Sequence, residues 1–199
     1  MKKLLYLLII LPLSACFDAD LSLTVHDSET ATMSANMTMG PELIQMIASS
    51  GQDPCEDGVG VQNADGSYSC LVEETDTIDN LIAKIEEEEA NAGAAGSVNP
   101  NTGVTIERME GGLIRLSFDL LEIKRNASET GMDPAMLGAF QSAMTGHGIQ
   151  MSIRAKEIIS TNGSLSEDGT VAMFGIPLPA LLDPAAQLPD SFETVVRPD

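Results

Sequence analysis

Between residues 17 and 39 the chain alternates with a period of two. Phe17, Ala19, Leu21, Leu23 and Val25 fall on one side, and Asp18, Asp20, Ser22, Thr24 and His26 on the other. After Asp27-Ser28-Glu29, the residues Ala31, Met33, Ala35, Met37 and Met39 alternate with Thr32, Ser34, Asn36 and Thr38. Successive side chains of a strand point to opposite faces, so two such runs about a short polar turn predict a β-hairpin with one buried face.

The period then changes. Gly40-Pro41 closes the second strand and opens a short helix with Leu43, Ile44, Met46 and Ile47 on its apolar face. Asp65-Gly66 is a turn dipeptide between residues 59–61 and 68–72. Ile78, Leu81, Ile82 and Ile85 recur at steps of three and four and predict a helix over residues 77–90. A Gly-, Ala- and Asn-rich stretch over 91–103 reads as a loop.

Val104, Ile106 and Arg108 precede Glu110-Gly111-Gly112, and Ile114, Leu116, Phe118 and Leu120 follow, which predicts another hairpin. Asp133-Pro134 is a helix start, with Met136, Leu137, Phe140 and Met144 as the buried stripe. Ile149, Met151, Ile153 and Ala155 alternate in a long strand. Asn162-Gly163 and Asp168-Gly169 read as hairpin turns, residues 177–190 as coil, and residues 191–196 as a last edge strand. Hairpins dominate and no βαβ pattern appears. The expected class is α+β: a mainly antiparallel sheet built of hairpins, with two to three helices packed on it, in one domain over residues 16–199 ending in a coil-rich tail over 175–199.

The first fifteen residues have a different character. Met1-Lys2-Lys3 is basic and residues 4–13 are almost wholly apolar, too short a run to span a bilayer. This is the pattern of a signal peptide, residues 1–15, and Leu13-Ser14-Ala15-Cys16 resembles the lipobox of bacterial lipoproteins. The resemblance implies that Cys16 becomes the first mature residue and carries diacylglyceride and fatty acyl chains such as palmitate. Several chains on one residue anchor a protein stably. The expected location is the cell envelope, outside the cytoplasm, periplasmic or at the surface, with the membrane itself as the first partner.

Charge and cysteines narrow the function. Loss of Lys2 and Lys3 takes Lys+Arg from 10 to 8 against 30 Asp+Glu, and the formal charge from −20 to −22. Such a balance opposes nucleic acid as a partner. With Cys16 consumed by lipid, Cys55 and Cys70 are the remaining pair of three cysteines, and in an oxidising compartment they read as a disulfide. The two histidines, His26 and His147, lie in no nucleophile-elbow, metalloprotease or Cys-His context. The cluster Asp53, Glu56, Asp57, Asn63 and Asp65 does not match the calcium-loop spacing. No catalytic residue, metal site or cofactor is expected. Six of the eight mature cations fall between residues 108 and 156. Four of these, Arg108, Arg115, Arg154 and Lys156, are the candidates to rim an apolar cavity and receive a phosphorylated or sugar-bearing headgroup.

Several stretches agree with one family. Cys16 followed by the alternating strand to His26, the Asp27-Ser28-Glu29-Thr30 turn and the return strand to Met39 are its first part. Ile158-Ile159-Ser160-Thr161-Asn162-Gly163 and Ser166-Glu167-Asp168-Gly169-Thr170-Val171 are its second. Together they resemble the LppM-type domain of bacterial lipoproteins, over most of residues 16–175. Phe174 stands where that pattern has Trp, and a polar tail follows where members continue into a membrane helix. The resemblance implies a non-catalytic domain recognising a lipid or glycolipid at a membrane surface. The alternative is an anchored protein–protein interaction or envelope-assembly module. A cavity of several hundred Å³ favours the first, and a filled core with an exposed apolar patch favours the second.

Overall fold

A computed structural model describes residues 17–49, 51, 53–55, 58–91, 103–128 and 144–199. Cys16 and residues 129–143, which hold most of the helix expected after Asp133-Pro134, lie outside the described residues.

The opening alternation forms the expected hairpin. Strands β1 (Phe17–Val25) and β2 (Thr30–Met39) pair antiparallel from Phe17 opposite Met39 to Val25 opposite Ala31. The Asp27 carboxylate fixes the turn, accepting the backbone N–H groups of Glu29 (2.8 Å) and Thr30 (2.7 Å) and the Thr30 hydroxyl (2.9 Å). Strand β4 (Tyr68–Thr77) lies beside β2, and β3 (Val59–Gln62) beside β4 at the sheet edge. On the other side of β1 lie β7 (Gly148–Arg154), β10 (Val171–Pro177) and the short β9 (Ser164–Leu165), completing seven strands. The β1–β7 pairing is parallel, whereas all the other pairings are antiparallel. Hairpin logic does not foresee that joint.

A second sheet has four strands: β5 (Val104–Arg108), β6 (Ile114–Asp119), β11 (Ser191–Arg197) and β8 (Glu157–Thr161), in that order. Here the structure corrects two expectations. Strand β11 lies in the interior of its sheet, between β6 and β8, and Phe192, Thr194 and Val196 are fully buried. Asn162-Gly163 is no hairpin turn, because β8 and β9, on either side of it, belong to different sheets. A Cβ on Gly163 would stand 2.4 Å from the Met173 carbonyl oxygen and 2.7 Å from the Phe192 ring, so glycine is required by the closeness of the crossing. Asn162 secures it, donating from Nδ2 to the Ser191 carbonyl (2.7 Å) and accepting at Oδ1 from the Glu193 N–H (2.9 Å). Asp168-Gly169, by contrast, does join the antiparallel pair β9 and β10.

Among the described residues four short helices accompany the sheets: α1 (Pro41–Ser49), α2 (Ile78–Asn91), α3 (Leu120–Ser128) and α4 (Leu178–Leu182). The first two are those expected. Helix α3 takes over where the hairpin was expected to end in Leu120, because Asp119 accepts the Glu122 N–H (2.8 Å) as an N-terminal cap. Helix α4 interrupts the tail expected to be coil, with Leu178 and Leu181 buried. Apolar residues of both sheets and of α2, α3 and α4 form one core. Phe192 of β11 is its joint, stacked on Phe118 of β6 at 6.0 Å and on Phe174 of β10 at 5.6 Å between ring centres. Residues of α1 and the Cys55–Cys70 region form a smaller apolar cluster around Met39.

Candidate functional site

The alternation of strands sorts the seven-stranded sheet into two faces. On the inner face each rank runs across several strands, and Val72, Ala35, Leu21, Met151 and Phe174 form one such rank by register. The next rank is Glu74, Met33, Leu23, Ile153 and Ala172. Against the second sheet these ranks leave a small cleft. Leu21, Leu23, Met33, Ala35 and Val72 line its floor, and Val104 and Phe118 of the second sheet also line it. Its volume is about 60 Å³. Ligand pockets run from roughly 300 to 1,000 Å³, so this one holds no acyl chain or drug-sized molecule.

Glu74 brings a carboxylate to the cleft, and it is not free. The Lys84 ammonium of α2 pairs with Glu74 and with Asp76 (2.9 Å). That pairing pushes Lys84 up, first through Glu74 and then through Asp76. Asp76 falls from its ordinary 3.8 to about 2, chiefly through Lys84 and then through the Asn80 amide and the Thr77 N–H.

The four candidate cations are not brought together, and none lines the cleft. Arg108, at the end of β5, donates to Asp79 (3.0 Å) and to the Ser28 carbonyl (2.6 Å), tying the second sheet to the first hairpin. Arg115 bonds Glu107 across the strand pair (2.8 Å) and approaches Glu193 (3.7 Å). Lys156 pairs with Asp199 (2.7 Å). Arg154 is exposed on the outer face of β7 and pairs with no described residue.

That outer face consists mostly of small polar side chains. Registers align Glu73, Ser34, Ser22 and Ser152 in one rank, and Thr75, Thr32, Thr24 and Arg154 in the next. His26 Nε2 lies 2.7 Å from the Thr32 hydroxyl, which lies 2.7 Å from that of Thr75. His147, the other histidine, lies 2.8 Å from the Asp18 carboxylate at the start of β1. Sequence periodicity gave each strand its polar side but not the registers that join them, so this rank was not visible in it. Among the described residues no group of three or more His, Cys, Asp or Glu is placed to hold a metal.

Cys55 and Cys70 are bonded, with Cα atoms 5.5 Å apart, and both are buried. The loop they close contains β3, where Val59 and Val61 are 68% and 53% exposed, beside Leu71 at 40%. Val59 is the register partner of Leu71, so the three share one face at an open sheet edge. No described helix is long and apolar enough to cross a membrane.

Two sheets, a parallel β1–β7 joint and one shared core define the fold. The fold is similar to that of LppM. The NMR structure of the folded domain of this Mycobacterium tuberculosis protein matches over 100% of this chain and 96% of its own length, with a TM-score of 0.51 and 14% sequence identity. The likeness to LppM therefore concerns the fold, and it accords with the strand pattern through which the sequence resembles LppM-type domains. No family model matches the chain, and no curated protein does.

Proposed function

We propose that the chain is a non-catalytic module of the bacterial envelope, lipid-anchored through Cys16, which binds a lipid or glycolipid at the membrane surface. The observation that carries this reading is the start of β1 at Phe17, one residue beyond Cys16. An acyl anchor there holds a strand inside the sheet with no intervening linker. The start of β7 and the ends of β2 and β10 lie at the same end by register, so one edge of the domain faces the bilayer. The 60 Å³ cleft is too small to enclose an acyl chain, so the lipid contact in this reading is made at the surface of the domain.

Mass spectrometry of the mature protein tests the anchor. Acyl chains on residue 16 are expected, together with release into the aqueous phase of a detergent partition for Cys16→Ser. Absence of acyl mass in the wild type would sink the reading. Lipid retained in native mass spectra after gentle extraction, or binding to the host's lipid extract, tests the ligand; neither occurring counts against it.

The exposed Val59, Val61 and Leu71 favour a second reading, strand addition by an envelope protein at the β3 edge. Val61→Lys would then abolish cross-linking to that partner and leave acylation intact.

A further inference from the structure

The rank Thr75–Thr32–Thr24–Arg154 stands apart from the rest of an acidic molecule. Four adjacent strands present these side chains on the outer face of the seven-stranded sheet. Adjacent strands lie about 4.8 Å apart, so Thr24 and Arg154 are immediate neighbours. Neither the Thr24 hydroxyl nor the Arg154 guanidinium has a partner among the described residues. In a chain with 30 carboxylates and 10 Lys+Arg, an unpaired arginine is conspicuous. The other described cations pair with a carboxylate or a carbonyl, apart from Arg125 at the end of α3.

Two carboxylates share this region but stand off from the Thr24–Arg154 pair: Glu73 is in the preceding rank three strands from Arg154, and Asp27 is in the turn beyond His26. Ser22 and Ser152 lie in the rank before it, and Val171 flanks Arg154 on β10. Asp20 is four residues back along β1, about 13 Å at strand rise. On the far side of Thr24, the His26 ring and the Thr32 and Thr75 hydroxyls form a chain of hydrogen bonds at 2.7 Å each. Such a chain can turn a donor outward by rotating its hydroxyls.

We propose that this rank is an oxyanion site for a group of the phosphate class. The Arg154 guanidinium donates to two of its oxygens, Thr24 donates to a third, and the His26–Thr32–Thr75 chain closes one side. Planar guanidinium and tetrahedral phosphate match in a paired hydrogen-bond geometry that an ammonium lacks. Thr24 lies seven residues beyond Phe17, about 23 Å along the strand from the anchored end. The site therefore goes beyond the membrane-surface reading, and it does not depend on acylation of Cys16.

The test uses the full chain carrying Cys16→Ser, titrated with inorganic phosphate and followed by amide NMR. Saturable shifts at Thr24 and Thr32 are expected, absent with chloride at equal ionic strength. Arg154→Gln weakens binding about tenfold or more, Thr24→Val weakens it less, and Arg125→Gln leaves it unchanged. Circular dichroism confirms that each variant is folded. A second arm uses phosphatidylcholine vesicles with and without phosphatidic acid. Arg154-dependent binding to the acidic vesicles assigns the phosphate to a lipid headgroup. Binding of phosphate without the vesicles assigns it to a soluble or glycan-borne group. No saturable binding of either probe, or an equal loss in Arg125→Gln, overturns the site. Either failure leaves acylation of Cys16 untouched.

Discussion

Asp18 holds His147 and Gly148 with one carboxylate: Oδ2 lies 2.8 Å from His147 Nδ1, and Oδ1 accepts the Gly148 N–H at 3.0 Å. The residue second in β1 thereby clamps the start of β7, where the parallel joint begins. Asp18→Ala is expected to lower stability by about 1 kcal/mol, a modest value because the carboxylate is half exposed. Asp18→Asn should lose less, since its amide oxygen can still accept from Gly148. Urea denaturation measures both, and an unchanged midpoint in Asp18→Ala would remove the clamp.

Phe192 joins two aromatic partners from two sheets, so its loss is felt by both. Phe192→Ala should cost about 3–5 kcal/mol, and Phe192→Leu distinctly less. Gly163→Ala, which forces a methyl against Met173 and Phe192, should also destabilise, by about 1–3 kcal/mol. Chemical denaturation of the three variants gives the order. A neutral Gly163→Ala would mean that the crossing has room to relax.

Reduction of Cys55–Cys70 should act locally and slowly. The bridge spans a sequence separation of 15, for which chain entropy gives about 3 kcal/mol. Cys70 is only 1% exposed, so the thiol reagent must wait for opening. Thermal melts with and without reductant, after long incubation, should differ by several degrees. Hydrogen exchange should quicken in α1 and β3 while β7 and β10 stay protected. Uniform quickening across both sheets would contradict a local role.

Acid should weaken the fold below about pH 4. Asp76 has its pKa depressed from 3.8 to about 2. Its contribution is present above the unfolded value and disappears as pH falls through the folded one. Asp27, Asp65 and Asp168 are also lowered, led respectively by the Glu29 N–H, the Ser67 hydroxyl and the Ser166 hydroxyl. Stability measured from pH 5 to 2 should therefore fall steadily. Asp76→Asn should show a shallower slope over that window, and an identical slope would exclude Asp76 as a contributor.

Local periodicity carried the fold wherever neighbours in space were neighbours in sequence. The β1–β2 hairpin, α1, α2 and the β9–β10 turn are of this kind, since alternation and turn chemistry act within a few residues. Alternation with Asp119 continues the strand pattern into Leu120, although Asp119 with Glu122 three residues on also makes a helix cap. Asn162-Gly163 has the letters of a hairpin turn, but its glycine answers to a distant phenylalanine. The interior place of β11 and the parallel β1–β7 pair depend on which strands meet, and no window of sequence contains that choice. The same holds for the candidate sites: the cations were legible as residues, while their partners Asp79, Glu193 and Asp199 were not.

The position of β1 bears on how the chain reaches this state. In chain order, β1 and β2 can pair first and β4 can follow. The other edge of β1 must wait for β7, whose clamp to Asp18 joins residues 129 apart. Throughout that interval β1 offers open backbone groups and a bare apolar face, the features that recruit stray strands. Slow closure is the expected consequence of such distant pairing. A holding chaperone that shields this hairpin until β7 has docked would then serve assembly more than any stabilising substitution in the finished core.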